Sequence, residues 1–329
     1  MYVITGGAGF IGSNIAASLD AEGADIAIID WLGSDDCKWR NIAKRRLVDI
    51  VPPEAGAAFL EANRSAIRGV VHMGAISTTT ETDVDAIVRN NFRQSVDHWT
   101  FCARHEIPFV YASSAATYGD GGAGFLDRFD ADYFQRLRPL NPYGWSKHVF
   151  DRWVLDAVET GKPTPPRWAG LKFFNVYGPN EYHKGGQRSV AVQLHAQIRE
   201  RGAVRLFRSD NPDYADGEQL RDFVWVGDCV DVARWALEDA AAPSGLYNVG
   251  SGVARSFADK ARIAFREMGL EPRIEFIDLP ANLKGKYQYY TCASTEKLRA
   301  AGFTAPLTSL EEGLRRYIGD YLETADRFR

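Results

Sequence analysis

Short, continuously apolar runs recur along the first half of the chain: YVIT (2–5), DIAIID (25–30), GVVHMGA (69–75) and PFVYASS (108–114). Between them, apolar residues fall at three- and four-residue spacing, which predicts helices at about 11–21 and 84–105. Runs without polar alternation are what strands buried on both faces require. A helix carrying Tyr143 follows, and WAGLKFFNVYG (168–178) is expected to be one further strand. Strands alternating with helices, joined by right-handed crossovers, make an α/β fold: a doubly wound parallel sheet of Rossmann type.

After Tyr177 the pattern changes. GPNEYHKGGQRS (178–189) is rich in loop formers, a helix is expected at 190–202, and RDFVWVGDCVDVARWALEDA (221–240) reads as a short strand and a helix. GLYNVGSG (245–252) supplies another strand. These pieces predict a smaller α/β substrate domain interleaved with the first: 1–174 plus about 221–248 for the dinucleotide-binding domain, about 175–220 and 249–329 for the other.

The chain has 329 residues, 45% hydrophobic and 25% charged, with a net charge of −4, so it carries enough apolar material for two lobes and is no disordered segment. No apolar run reaches the roughly 18 residues of a membrane span. The opening MYVITGGAGF lacks a leader pattern, so the expected location is the cytoplasm. No long basic block points to nucleic acid; the small cluster AKRRL (43–47) is expected to be a solvated face. The four cysteines, Cys37, Cys102, Cys229 and Cys292, show no CxxC spacing and read as reduced thiols without a metal.

TGGAGFIGSN (5–14) places Gly6, Gly9 and Gly12 between a strand and a helix. Gly6 permits the tight turn, Gly9 lets the backbone approach a pyrophosphate, and Gly12 lets helix and strand pack closely. Asp30 ends the second strand, where a carboxylate can accept from the adenosine ribose hydroxyls; its blander role is a solvated strand end. Lys38 and Arg40 follow and suit a 2′-phosphate, so these residues leave NADP and NAD both open.

Ser114 sits at the carboxyl end of an apolar strand, the side that faces the ligand in such sheets. In NPYGWSK (141–147), Tyr143 and Lys147 share a helical face at i, i+4, and the ammonium is expected to pull the phenol down from its ordinary ~10. A phenolate so placed takes the proton of an alcohol while a nicotinamide accepts the hydride. Each signal alone is weak: glycine turns are common, and a Tyr/Lys pair is usually a surface feature. Three in this order are strong.

These motifs resemble the extended short-chain dehydrogenases/reductases that act on nucleotide sugars, and within them the branch that inverts C6 of an ADP-linked heptose. The resemblance runs through TGGAGFIGSNI, STTTETD, IPFVYASSAATYGD, NPYGWSKHVFD, FFNVYGPNEYHKG, RDFVWVGD, LYNVGSG and LKGKYQYYT. It implies a catalytic set of Ser114, Tyr143 and Lys147, with Lys184 as a second acid/base, and no metal. For the cofactor it implies Gly6, Gly9, Phe10, Ile11, Gly12, Asp30, Trp31, Lys38, Met73, Gly74, Ala75, Ile76, Ser77, Asn90 and Val176, together with Tyr143, Lys147 and Lys184. For a nucleotide sugar it implies Asn175, Gly186, Gln193, Phe207, Arg208, Ser209, Asp210, Arg221 and Tyr287, together with Ser114.

The implied reaction converts ADP-D-glycero-D-manno-heptose to its C6 epimer through a transient ketone with tightly bound NADP, or else NAD, for lipopolysaccharide heptose. A homo-oligomer, a pentamer among the options, is implied as well. The chain departs from the pattern at Trp31, where an Asn is usual, at Gly186 and Gln193, in place of a Ser and a His, and at Pro52 and Pro53, where a basic residue is absent. Another nucleotide-sugar epimerase, such as a UDP-hexose 4-epimerase, competes with this assignment, as does a non-catalytic NADP-binding regulatory protein.

Overall fold

Apolar runs long enough for one strand but too short for a helix fold as the sequence suggests. In a computed structural model describing residues 1–34, 37–280 and 288–329, the strands are β1 (Tyr2–Thr5), β2 (Ile26–Ile29), β3 (Asp49–Val51), β4 (Gly69–His72), β5 (Phe109–Ser114), β6 (Trp168–Phe173), β7 (Asn175–Tyr177), β8 (Val204–Phe207), β9 (Leu220–Trp225), β10 (Gly245–Val249), β11 (Ala254–Ser256) and β12 (Ile274–Ile277). The helices are α1 (Phe10–Ala21), α2 (Pro53–Asn63), α3 (Val84–Ile87), α4 (Gln94–Arg104), α5 (Ala131–Arg136), α6 (Pro142–Glu159), α7 (Val190–Arg201), α8 (Val226–Glu238), α9 (Phe257–Glu267), α10 (Glu296–Ala300) and α11 (Leu310–Tyr317).

The central sheet has seven strands in the order β10-β6-β5-β4-β1-β2-β3, and every neighbouring pair is parallel. Successive residues feed opposite cores. Ile4, Val71, Val110 and Leu171 pack with Ile15 of α1 and Val230 of α8 on one face. Val3, Val70, Phe109 and Tyr111 pack with Trp99 of α4 and Phe150 of α6 on the other. This is why the strands show no alternation: both faces lie under helices. The order reverses at β1, and the crevice outside the carboxyl ends of β1 and β4 is where such a sheet takes a ligand.

Residues 168–178 are not one strand. β6 ends at Phe173; the Phe174 N–H bonds the Val249 carbonyl at 3.0 Å, and β7 joins a separate sheet of order β11-β9-β7. Phe174 is itself buried, so the apolar run passes through the corner without a break that periodicity could detect. Segment 221–248 is likewise divided, with β9 in the small sheet and β10 in the large one. The smaller lobe closes around Tyr177, Phe223, Trp225, Phe265, Leu314 and Tyr317.

The stretch 84–105 is helical but not uniform. A π-turn at Val88–Arg93 separates α3 from α4, and within it Asn91 bonds the Ile76 backbone from both ends of its amide, at 2.8 and 2.9 Å. The 43–47 cluster is largely solvated, with Ala43, Lys44 and Arg46 exposed, yet two of its cations are paired. Lys44 pairs with Asp326 at 2.7 Å and donates to the Phe328 carbonyl, while Arg45 pairs with Asp20 at 3.3 Å.

Lys260 of α9 is 1% exposed, with its ammonium 3.9 Å from the centre of the Phe223 ring and 4.3 Å from that of Tyr177. Burial draws it from 10.5 down to about 7, against the attraction of Glu181. The aromatic faces also favour the charged form, so the net penalty is smaller than desolvation alone would give. Between these two values the unfolded chain binds more protons than the folded one, so this group makes stability rise with pH, and below the lower value its cost is full. Lys260→Met should therefore gain about 2–4 kcal/mol in urea unfolding at pH 6.5 and flatten the alkaline rise. A loss of stability there would mean that the cation–π attraction outweighs desolvation.

Candidate active site

The carboxyl ends of β1, β4 and β5 open on a crevice of about 1000 Å³. Two glycines are sterically obligatory there. Gly6 has φ +63°, and a Cβ on it would lie 2.6 Å from the Gly74 nitrogen; a Cβ on Gly12 would lie 2.3 Å from the Gly6 carbonyl oxygen. Gly9 precedes α1 and offers no side-chain cap, so the first N–H groups of the helix are left to an anion. Asp30 accepts from the Ala8 N–H at 3.0 Å and pairs with Lys38 at 2.7 Å. The neighbouring Trp31 indole donates to the Glu54 carboxylate at 3.0 and 3.2 Å. The cradle and the carboxylate fit a dinucleotide.

Helix α6 begins on a proline at its first position, and the Asn141 side chain accepts from the Gly144 N–H at 2.8 Å. A Cβ on Gly144 would lie 2.6 Å from the Ala116 carbonyl oxygen. The helix thus runs hard against the end of β5 and sets Tyr143 beside Ser114 in the crevice lining.

The expected lowering of the Tyr143 phenol by Lys147 is corrected by the structure. Burial raises it, and the opposing influence is the Ser114 hydrogen bond. Lys147, 3% exposed, is drawn by burial down to about 8, while Asp151 pulls it upward. Lys184 sits in the turn Tyr182–Gln187, with its ammonium 5.4 Å from the centre of the Phe10 ring. Burial lowers it, and Glu181 opposes.

The crevice lining brings together Gly6, Gly9, Phe10, Ile11, Gly12, Asp30, Trp31, Lys38, Met73, Gly74, Ala75, Ile76, Ser77, Asn90, Ser114, Tyr143, Lys147, Val176 and Lys184. Apart from Ser114, the residues expected at the sugar are not among this lining. Asn175 accepts from Thr291 at 3.4 Å, Gln193 donates to the Arg188 carbonyl at 2.7 Å, and Gly186 is exposed in its turn. Phe207 ends β8, Arg208 pairs with Asp278 at 3.2 Å, the Ser209 N–H bonds Asp216 at 2.9 Å, and Asp210 is exposed. The buried guanidinium of Arg221 donates to the carbonyls of Leu220 and Gln288. Tyr287 lies outside the described residues.

Two groups went unnoticed in the sequence. Thr5 meets His72 Nδ1 at 2.6 Å, His72 Nε2 meets Ser95 at 2.9 Å, and Ser95 donates to the Asn91 carbonyl at 2.6 Å. Since Ser95 spends its proton on that carbonyl, His72 must donate from Nε2, and Thr5 must donate to Nδ1 while accepting from the Gly74 N–H at 3.2 Å. Asn91 then reaches Ser146 of α6 at 3.0 Å. The second group is Asp151 with Lys172; a lone lysine inside the apolar run WAGLKFF was its visible signal. Among the described residues no cluster of His, Cys, Asp and Glu suits a metal ion, and no helix is long and apolar enough to cross a membrane.

The model of the NAD dependent epimerase/dehydratase family matches residues 2–250. The chain belongs to that family. It is 46% identical over 339 residues to the ADP-L-glycero-D-manno-heptose-6-epimerase of Nitratidesulfovibrio vulgaris strain DP4, covering 100% of both chains. It is 43% identical over 337 residues to the protein of that name from Fusobacterium nucleatum, again over 100% of both. Among solved structures, the ADP-L-glycero-D-manno-heptose-6-epimerase of Helicobacter pylori superposes with a TM-score of 0.76 at 26% identity, over 97% of this chain and 95% of that one. The Thermus thermophilus UDP-glucose 4-epimerase, solved with NAD, shares the fold at TM-score 0.72 and 24% identity. This member of the family is an enzyme that works with a nicotinamide cofactor.

Proposed function

We propose that the protein inverts C6 of ADP-D-glycero-D-manno-heptose, giving the L-glycero epimer for lipopolysaccharide heptose. The observation that carries this is Ser114, Tyr143, Lys147 and Lys184 lining a single crevice with the glycine cradle, in a chain 41–46% identical over nearly its full length to relatives bearing that name. Tyr143 takes the C6 hydroxyl proton, Ser114 holds the oxygen, and Lys147 supports the phenolate by its charge. A bound nicotinamide supplies the hydride acceptor and later the donor. Lys184 gives the proton to the ketone oxygen when that carbon is reduced from its other face, and the cofactor ends as it began. The lobe of about 175–220 and 249–329 holds the nucleotide sugar in this scheme, and Asn175, Gln193, Phe207 to Asp210 and Arg221 belong to it. Assembly into a homo-oligomer, to be checked by light scattering, is part of the same proposal.

The test is an NMR-followed incubation with ADP-D-glycero-D-manno-heptose. The C6 proton signals of the L-glycero epimer should grow in, while UDP-galactose stays unconverted. Conversion of UDP-galactose instead would reassign the protein to the hexose 4-epimerases.

At the adenosine end, NAD is the better fit, although the resemblance implied NADP. What supports NAD is that Lys38 already neutralises Asp30, and that Trp31, which lines the crevice, holds the exposed Glu54 carboxylate beside it. A 2′-phosphate brings about two negative charges to that carboxylate pair. Calorimetry on the protein freed of dinucleotide should show NAD binding at least about tenfold tighter than NADP, and Glu54→Lys should reverse or erase the preference. Equal affinities in the unaltered protein would remove Glu54 from cofactor choice.

A further inference from the structure

We propose that the buried pair of Asp151 and Lys172 is the positioning device of Lys147, holding its helix against the Ser114 strand and setting the charge it feels. This rests on the role given to Lys147 above. Asp151 lies one helical turn after Lys147 on α6, with a side chain 0% exposed. Its oxygens are filled by other elements: the Tyr111 hydroxyl at 3.1 Å and the Ser113 hydroxyl at 2.7 Å from β5, and the Lys172 ammonium at 2.7 Å from β6. Lys172, also 0% exposed, donates in addition to the Thr117 hydroxyl at 2.6 Å, and Thr117 donates to the Ser114 carbonyl at 2.8 Å. One buried carboxylate therefore ties α6 to the end of β5 and, through Lys172 and Thr117, to Ser114 beside Tyr143.

A buried ion pair is an expensive way to fasten a helix, because apolar residues of like volume serve at least as well. The location gives this pair a further use. Two ammonium groups share one carboxylate, and Lys172 takes its directed contact. Lys147 feels Asp151 through space and stays turned into the crevice, charged in spite of its burial. The other charged and titratable groups that meet this knot are His148 and Arg152 of α6, His72 at the end of β4, and Tyr118, Asp127 and Lys297 on the side of Lys172.

Opposite charges removed from one knot should move Lys147 in opposite directions. The readout is competitive labelling of lysines with trace acetic anhydride across pH, followed by mass spectrometry of the peptide holding Lys147, on the full chain without substrate. Lys172→Met frees the carboxylate and should raise the labelling midpoint by about one pH unit, a tenfold change in proton affinity. Asp151→Asn should lower it by a similar amount, and Lys172→Arg should leave it in place. The double variant Asp151→Asn with Lys172→Met removes both charges at equal volume and should fold even where a single variant does not. Its midpoint should fall below that of the unaltered protein, because the carboxylate is the nearer influence. Shifts of the same sign in the two single variants, or an unmoved midpoint in the double variant, would overturn the proposal. Labelling needs no substrate, so it is judged apart from the epimerase assignment, which fails separately if Lys147→Met still epimerises.

Discussion

Tyr143→Phe should lower epimerisation by about 10³-fold or more while the dinucleotide still binds. A positioned general acid/base is worth roughly 10²–10⁴ in rate, and at this site the Tyr143 phenol, beside Ser114 in the crevice, serves proton removal. Phenylalanine keeps the ring, so the fold should be unharmed, and dinucleotide retained through purification is the control. The pH profile carries the finer content. Burial raises the phenol, so the phenolate fraction is small at neutral pH and kcat/KM should climb as pH rises. Lys147 loses its charge near about 8, and beyond that point each gain in phenolate is offset by an equal loss of ammonium, so the profile levels off. The result is a rising limb that ends where Lys147 titrates, followed by a plateau whose downturn is set by the phenol. A profile still climbing well beyond the titration of Lys147 would remove the charge of Lys147 from the mechanism, and a Tyr143→Phe protein that kept its rate would remove Tyr143.

Sequence carried the catalytic half of this site further than the substrate half, for physical reasons. Glycines 6, 9 and 12 are legible because steric exclusion acts within a few residues, and Tyr143 with Lys147 because a helix places i and i+4 together whatever its surroundings. Phe174 was illegible: the corner between β6 and β7 is buried, and hydrophobicity cannot mark a bend that stays inside the core. Lys44 is exposed as expected, but the partners of Lys44 and Arg45, Asp326 and the Phe328 and Arg329 carbonyls, lie at the far end of the chain, where no local pattern can name them. The direction of the Tyr143 shift was misjudged on the same ground. A neighbouring cation can be inferred from spacing, but desolvation depends on what the whole fold places around the ring, and here it prevails.

Lys184 should separate inversion from mere binding. If it hands a proton to the ketone oxygen on the side away from Tyr143, Lys184→Ala should cut kcat about 10²–10³-fold and leave KM within a few-fold, since the loss falls on the transition state. Lys184→Arg is the stricter variant. It keeps a positive charge in the turn Tyr182–Gln187, over the Phe10 ring, yet a guanidinium does not release its proton in this pH range. An electrostatic role predicts a near-normal Lys184→Arg protein, whereas proton delivery predicts one as impaired as Lys184→Ala. Small primary amines added to Lys184→Ala should restore part of the rate, in step with their protonated fraction, because the space vacated by the side chain opens on the crevice. Burial already draws this lysine below its ordinary value, toward the range where it can both give and regain a proton. Full activity in Lys184→Arg, or indifference of Lys184→Ala to amines, would leave Tyr143 as the sole proton carrier and require the ketone to turn over between its two reductions.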